Sequence, residues 1–298
     1  MKISITGASG FVGQNLIKYL KLQSNHILMS LDLRLQSFSV SDSNVIIHLA
    51  GKAHDLRKVE NFDEYYSVNY QLTKELYDAF LVSTADKFIF ISSVKAVADV
   101  IDEVLTEDIR PQPETHYGKS KLMAEDYIIN QQLPSGKSYY IIRPCMIHGP
   151  GNKGNLNLLF KFVSSGFPYP LGAFKNTRSF LSIDNLCFIL KEIVERNDIP
   201  SGVYNAADDR SISTSELISL LSISLKIKPR VLEIPTWIVK KMARIGDIMG
   251  LAFNTERLSK LTENYVVSNK KILKFLNEPL PVSVEQGILK TASAFIPK

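Results

Sequence analysis

Ile3 and Ile5 alternate with polar neighbours, and Phe11, Val12, Leu16, Ile17 and Leu20 then recur at helical spacing. Gly7, Gly10 and Gly13 lie between the two patterns. A strand, a glycine turn and a helix are therefore predicted at the start of the chain. The alternation continues with apolar runs at 26–31, 45–49, 87–91 and 139–143, short enough for buried strands. Helical spacing covers 65–82, with Val68, Leu72, Leu76 and Ala79 on one face, and 117–130. Strands alternating with helices imply an α/β fold, a doubly wound parallel sheet with helices on both faces. Ligands should bind across the carboxyl ends of its strands.

The pattern has one irregularity. Residues 33–44 are too few for a full βαβ crossover, so one strand and helix of a nucleotide fold are expected to be shortened or missing where an adenine would bind. Beyond Pro144, the Gly- and Pro-rich stretches 149–154 and 167–176 read as loops flanking a short helix at 156–163. A helix at 185–195 leads to a last strand at 203–206. Ser213 or Thr214 caps a further helix with Glu216 near its third position. The expected division is a Rossmann-type domain of 1–149 plus about 185–210, and a smaller, discontinuous α/β lobe of about 150–184 plus 211–298. Residues 236–253 place Trp237, Met242, Ile245 and Met249 near one side, with Lys240, Lys241 and Arg244 nearby. A membrane-surface helix has this pattern. So does a helix packed on its own domain, which is the commoner case and the expectation adopted.

Composition narrows the class. Hydrophobic content of 45% and charge of 22% suit an ordinary globular enzyme. The net charge of +5 is mild and no Lys/Arg run marks a nucleic-acid face, so anionic small molecules are the expected partners. Cys145 and Cys187 lack metal-ligand spacing and are expected to be reduced, buried and structural, as in the cytoplasm. No apolar run reaches the ~18 residues of a membrane span, and no signal peptide is expected.

Gly7 permits the tight turn, Gly10 lets a pyrophosphate approach the backbone, and Gly13 lets the helix close on the strand. The first-turn N–H groups then face the anion. Asp32 follows Gly13 by about the ~20 residues expected of a ribose-binding carboxylate. Together they point to a dinucleotide site. Tyr117 and Lys121 stand one helical turn apart on one face. A tyrosine of pKa ~10 is a poor base, and bringing it to ~7 requires about 4 kcal/mol of preferential phenolate stabilisation. A Lys ammonium and a positive nicotinamide would supply it. Tyr117 could then take a hydroxyl proton while hydride leaves the same carbon. Ser93 ends the preceding strand, where its hydroxyl can bond the reacting oxygen; Ser92 is the alternative.

The ordered set T-G-A-S-G-F-V-G, V-I-I-H-L-A-G, I-S-S-V-K and Y-G-K-S-K resembles the extended short-chain dehydrogenase/reductase family, in its nucleotide-sugar epimerase/dehydratase branch. The resemblance continues through R-P-C-M-I-H-G-P-G-N-K-G-N and R-S-F-L-S-I-D-N, over nearly the whole chain. It implies a catalytic Ser93, Tyr117 and Lys121. Tyr117 would be base and acid, Lys121 would hold the nicotinamide ribose, and Ser93 would orient the sugar oxygen. Gly7, Gly10, Phe11, Val12, Gly13 and Asp32 would contact the dinucleotide, Ala50 and Gly51 would lie along it, and Asn69 would stand near the site. Asn155, Leu156, Arg178 and, as a second arginine, Arg257 would hold the nucleotide diphosphate of a UDP-sugar. A homodimer through the Tyr–Lys helix and its neighbour is also implied.

Three departures bear on function: the short segment after Asp32, Lys95-Ala96-Val97-Ala98 in place of the family's Val-Tyr-Gly, and Met146 where some sugar epimerases carry Asn. The leading expectation is an NAD-dependent UDP-hexose or UDP-N-acetylhexosamine 4-epimerase of surface polysaccharide biosynthesis. A 4-ketoreductase of a UDP-2-acetamido-2,6-dideoxy sugar is the alternative, and a non-catalytic dinucleotide sensor the third reading. Asp32 favours NAD(H), since a carboxylate repels a 2′-phosphate; Arg34 keeps NADP(H) open.

Overall fold

The computed structural model describes residues 1–33, 40, 42–52, 62–152, 155–251 and 253–296. Six strands form one sheet in which every pairing is parallel: β1 (Lys2–Thr6), β2 (Ile27–Leu31), β3 (Val45–His48), β4 (Lys87–Ile91), β5 (Ser138–Pro144) and β9 (Gly202–Ala206). The order is β2-β1-β3-β4-β5-β9. The central strands β3 and β4 are buried along their whole length, which is why they read as continuous apolar runs rather than alternating ones. Helices α1 (Phe11–Gln23) and α6 (Ile183–Glu195) cover one face, burying Leu16, Leu20, Ile189 and Ile193 against Ile3 and Ile5. On the other face lie α3 (Leu72–Val82) and α4 (His116–Asn130), with Leu76, Phe80, Ala124 and Ile128 against Ile46, Phe88 and Phe90.

Between β2 and β3 no strand or helix lies among the described residues, and β2 has a neighbour on one side only. Residues 34–39 and 41 of that crossover, on which the expected shortening bears, lie outside the described residues. Arg34 falls outside the described residues. The helix expected over 65–82 begins with α2 (Asp63–Tyr65), widens into a π-helical stretch at Tyr66–Gln71, and continues as α3. Two lysines, Lys87 buried and Lys137 half-buried, close helix ends. Lys87 Nζ donates to the carbonyls of Ile193, Val194 and Arg196 after α6, and Lys137 Nζ to those of Phe80, Ser83 and Ala85 after α3.

A third buried cluster gathers chain from beyond the sheet. It joins α5 (Asn155–Ser164), α7 (Thr214–Ser224), α8 (Thr236–Met249), α9 (Thr255–Thr262) and α11 (Val284–Ser293). Ser213 is the N-cap of α7 and accepts the Glu216 N–H, as its spacing predicts. Short pairs β6 (Met146–His148) with β8 (Phe180–Ser182), and β7 (Thr177–Arg178) with β10 (Ile212–Ser213), fasten this region, and α10 (Lys270–Leu273) packs back on β9. Cys145 and Cys187 are free and buried, and burial pushes the Cys187 thiol up to about 12. Among the described residues no helix is long and apolar enough to cross a membrane.

One expectation is corrected. Helix α8 packs through Val239, Ala243 and Gly246, whereas Trp237, Met242, Ile245 and Met249 are exposed. The small residues allow a close approach on one side: a Cβ at Gly246 would collide with the Phe253 carbonyl. The large apolar side chains face away from the domain.

Candidate active site

The turn from β1 to α1 shows why three glycines stand there. Gly7 has φ +66°, and a Cβ on it would lie 2.7 Å from the Ala50 nitrogen. The Gly10 N–H donates to the Gly7 carbonyl at 3.0 Å, closing the turn. At Gly13 a Cβ would collide with the same carbonyl, so glycine is what lets α1 lie against the loop. Gly10 is the N-cap of α1 and no side chain caps the helix. Its first-turn N–H groups thus face outward at the positive end, over a cradle that any Cβ would fill. Phe11 and Val12 open that helix, and Asp32 follows directly on β2, beside β1. Backbone donors, helix end and a carboxylate at the next strand's tip suit the pyrophosphate and ribose of a dinucleotide.

The wall opposite the glycine turn is fixed by a buried polar chain. Thr73 Oγ1 donates to the Asn69 carbonyl at 2.7 Å, so His48 Nε2 donates to Thr73 at 2.8 Å and Nδ1 accepts from Thr6 at 2.7 Å. His48 is thereby neutral, in keeping with burial that pulls its pKa to about 3. Thr6 Oγ1 accepts in turn from the N–H groups of Leu49 and Ala50. Asn69 is fully buried in the π-helical stretch. Its amide takes both backbone groups of Lys52 and donates to Ser120 Oγ at 3.1 Å. Gly51 lies where a Cβ would sit 3.1 Å from both Asn69 Oδ1 and Lys121 Nζ. Gly51, Asn69 and Lys121 therefore meet at one point, with Ala50 next to it in the chain.

Ser93, Tyr117 and Lys121 converge on the end of β4. The Ser93 hydroxyl accepts the Lys95 N–H at 3.2 Å and donates to the Tyr117 oxygen. Ser92 is excluded from that role, because its hydroxyl donates to the buried Glu125 carboxylate on α4. Glu125 in turn holds Arg143 of β5 through two nitrogens, tying α4 to the sheet beneath the site. Lys121 Nζ donates to the Ile91 carbonyl at 2.9 Å and stands 4.7 Å from the centre of the Phe90 ring. Burial lowers its pKa to about 8, opposed by Glu125. Burial raises the Tyr117 pKa, opposed by the Ser93 hydrogen bond. The expected depression of Tyr117 by Lys121 is absent from this arrangement, because the ammonium points at a backbone carbonyl.

Thr115 caps α4 through the Gly118 N–H, and Asp99 anchors the approach through the N–H groups of Glu114 and Thr115. Gly118 then presses against the loop carrying Ser93: a Cβ there would collide with the Lys95 carbonyl and meet Pro113 at 2.8 Å. This glycine between Tyr117 and Lys121 escaped the reading of the sequence. Its signal was a helix-interior glycine, which costs ~1 kcal/mol against alanine and so asks for a packing reason.

On the far side, a cavity of about 320 Å³ brings Leu156, Arg178 and Arg257 together, although they come from α5, β7 and α9. Arg178 donates through Nε to the Glu263 carbonyl at 3.1 Å and pairs with the Glu263 carboxylate at 3.2 Å. Asn155 is the first residue of α5. Met146, noted in the sequence, joins the lining, and so do Tyr169, Thr214, Leu217 and Leu261, which no sequence pattern marked as site residues. A second cavity of about 360 Å³ lies between α5 and α7 and shares Tyr169 with the first.

A phosphate-binding turn, a Ser–Tyr–Lys cluster at the strand ends and an arginine-bearing cavity beyond it define a dinucleotide-dependent enzyme for an anionic, nucleotide-like substrate. A family model described as the NAD dependent epimerase/dehydratase family matches residues 3–207. The chain is 31% identical over 319 residues to a UDP-glucose 4-epimerase of Vibrio cholerae, spanning 99% of this chain and 95% of that one. It is 29% identical to an N-acetyl-alpha-D-glucosaminyl-diphospho-ditrans,octacis-undecaprenol 4-epimerase of Escherichia coli O157:H7, over 92% of this chain and 85% of the relative. Among solved structures, the UDP-glucuronic acid 4-epimerase of Bacillus cereus in complex with NAD shares the fold. Its TM-score is 0.75 at 21% identity, with 99% of this chain and 96% of that chain covered. The chain belongs to the NAD-dependent epimerase/dehydratase family.

Proposed function

We propose that this protein is an NAD-dependent 4-epimerase of a UDP-hexose or UDP-N-acetylhexosamine, serving surface polysaccharide biosynthesis on the cytoplasmic side. The observation that carries the reading is the meeting of Ser93, Tyr117 and Lys121 at the end of β4, where Lys121 adjoins Gly51 and Asn69. When bound, NAD supplies a hydride acceptor and donor. The glycine turn with Phe11 and Val12, Asp32, and the Ala50–Gly51–Asn69 wall would hold it; Asp32 favours NAD over NADP. Tyr117 holds the proton taken from the C4 hydroxyl and returns it, Ser93 fixes the reacting oxygen, and Lys121 holds the ribose edge. Asn155, Leu156, Arg178 and Arg257 would seat the nucleotide diphosphate. The domain division at about 150–184 and 211–298 places these substrate contacts in the smaller lobe. A homodimer through α3 and α4 goes with this reading, and exposed Met123 and Ile129 on α4 support it.

The 4-ketoreductase is kept as a second reading on one observation. The segment between Asp32 and β3 is short in the sequence, which leaves little chain to wall the adenine half and favours cofactor exchange over retention. Incubating the purified protein with UDP-N-acetylglucosamine and no added cofactor, followed by proton NMR of the anomeric signals, separates the two. Appearance of the galacto epimer is the expected result. Its absence, with turnover of a 4-keto-6-deoxy nucleotide sugar on added NADH or NADPH, would establish the reductase.

A further inference from the structure

Helix α8 presents to solvent what most helices bury. Trp237 is 67% exposed, Ile248 87% and Met249 66%, with Met242 and Ile245 also exposed. At 3.6 residues per turn these five side chains occupy one arc of roughly 140° on the side opposite Val239, Ala243 and Gly246. The helix has 14 residues and so runs about 21 Å. Leu232 before it and Leu251 after it are exposed as well. The charges are arranged along it: Lys241 falls inside the apolar arc, while Arg244 and Lys240 border one edge, all three exposed. Asp247, the one acid on the helix, is engaged by the N–H and hydroxyl of Thr255 at the start of α9.

We propose that this face docks peripherally on an anionic lipid surface. Large apolar side chains with a tryptophan on one side, and basic side chains within and beside them, match the interface between acyl chains and negatively charged headgroups. Lysine stems can lie along the apolar strip while their ammonium groups reach the phosphates. A second copy of the chain fits this face less well, since pairing the strip with itself sets Lys240, Lys241 and Arg244 against their own equivalents. The contact is surface docking by one helix, and it does not insert a spanning segment. Because α8 packs directly on α9, whose Arg257 and Leu261 line the substrate cavity, docking would set that cavity wall about one helix diameter, roughly 10 Å, from the lipid. The inference is independent of which sugar the enzyme turns over.

Trp237 is the only tryptophan of the chain, so intrinsic tryptophan emission reports this helix alone. The full-length protein is mixed with vesicles of phosphatidylcholine and, separately, of phosphatidylcholine carrying about one third phosphatidylglycerol. Emission and co-sedimentation are then followed at low and raised salt. The proposal predicts a blue shift and sedimentation with the phosphatidylglycerol vesicles, weakened by salt. It predicts loss of both in an Ile248→Glu/Met249→Glu variant that keeps wild-type turnover of a soluble nucleotide sugar. Each of Lys240→Glu and Lys241→Glu should weaken partition by roughly five-fold or more. Three results would overturn it: unchanged emission with anionic vesicles, undiminished sedimentation of the double variant, or a lipid-free, concentration-dependent blue shift that the double variant abolishes. The last would assign the face to a second copy. A protein that binds vesicles but fails to epimerise would sink the proposed activity and leave this inference standing.

Discussion

At Tyr117, burial and the Ser93 hydroxyl pull in opposite directions, and burial prevails, so the phenol is held in its neutral form in this arrangement. To take the C4 hydroxyl proton Tyr117 must first give up its own, and the phenolate would be favoured only once a positive nicotinamide lies beside it. Replacing Tyr117 with Phe removes the proton acceptor and little else. Turnover should fall by about 10²–10⁴-fold while NAD affinity is unchanged, which paired kinetic and titration measurements would show. Lys121 makes a separate prediction. Burial moves it from 10.5 to about 8, so between those values the unfolded lysine keeps a proton that the folded one has lost. Stability from this group therefore rises with pH across that window, by up to about 3 kcal/mol. Denaturant unfolding from pH 8 to 10.5 should show that rise in the wild type and its loss in Lys121→Met. Spacing and strand-end position made Tyr117, Lys121 and Ser93 candidates in the sequence, and the family resemblance supplied their roles. The choice between Ser93 and Ser92 was not, since it turns on Glu125, more than thirty residues away.

The strands and helices of the sheet were legible element by element, because buried parallel strands appear as short unbroken apolar runs and their helices keep a 3.6 period. What periodicity cannot show is how one element meets another. The π-helical stretch at Tyr66–Gln71 keeps the same residue types as an α-helix, so Asn69 was placed near the site without the turn that aims it. Gly118 is the same lesson at a contact. Its alanine variant would force α4 off the Lys95 carbonyl and part Tyr117 from Ser93. We expect a loss of about 1–3 kcal/mol in stability, with turnover falling further than the loss of folded protein explains. Thermal melts and active-site-normalised rates would measure the two effects, and unchanged rates would contradict the role given to this contact. Helix α8 marks the limit of pattern reading. Its amphipathic spacing was plain, but spacing alone does not say which side finds a partner, and three small residues turned out to hold it.

For the molecule as a whole, the sheet topology brings the carboxyl ends of β1, β2, β3 and β4 to one edge, so that four separate turns build the cofactor side. The substrate side draws on α5, β7 and α9, distant in sequence and joined only by tertiary packing. This is why Arg178 and Leu156 needed a family resemblance to be found and why Tyr169 and Thr214 were missed. The account's central claim is that the hydrogen at C4 leaves as hydride and comes back to the same carbon without meeting solvent. UDP-N-acetylglucosamine carrying deuterium at C4, incubated with the enzyme in ordinary water and read by NMR at C4 of the product, tests it most directly. Retention of the deuterium in the galacto epimer is the predicted result. Washout of the label into water, or the absence of any epimer, would contradict it.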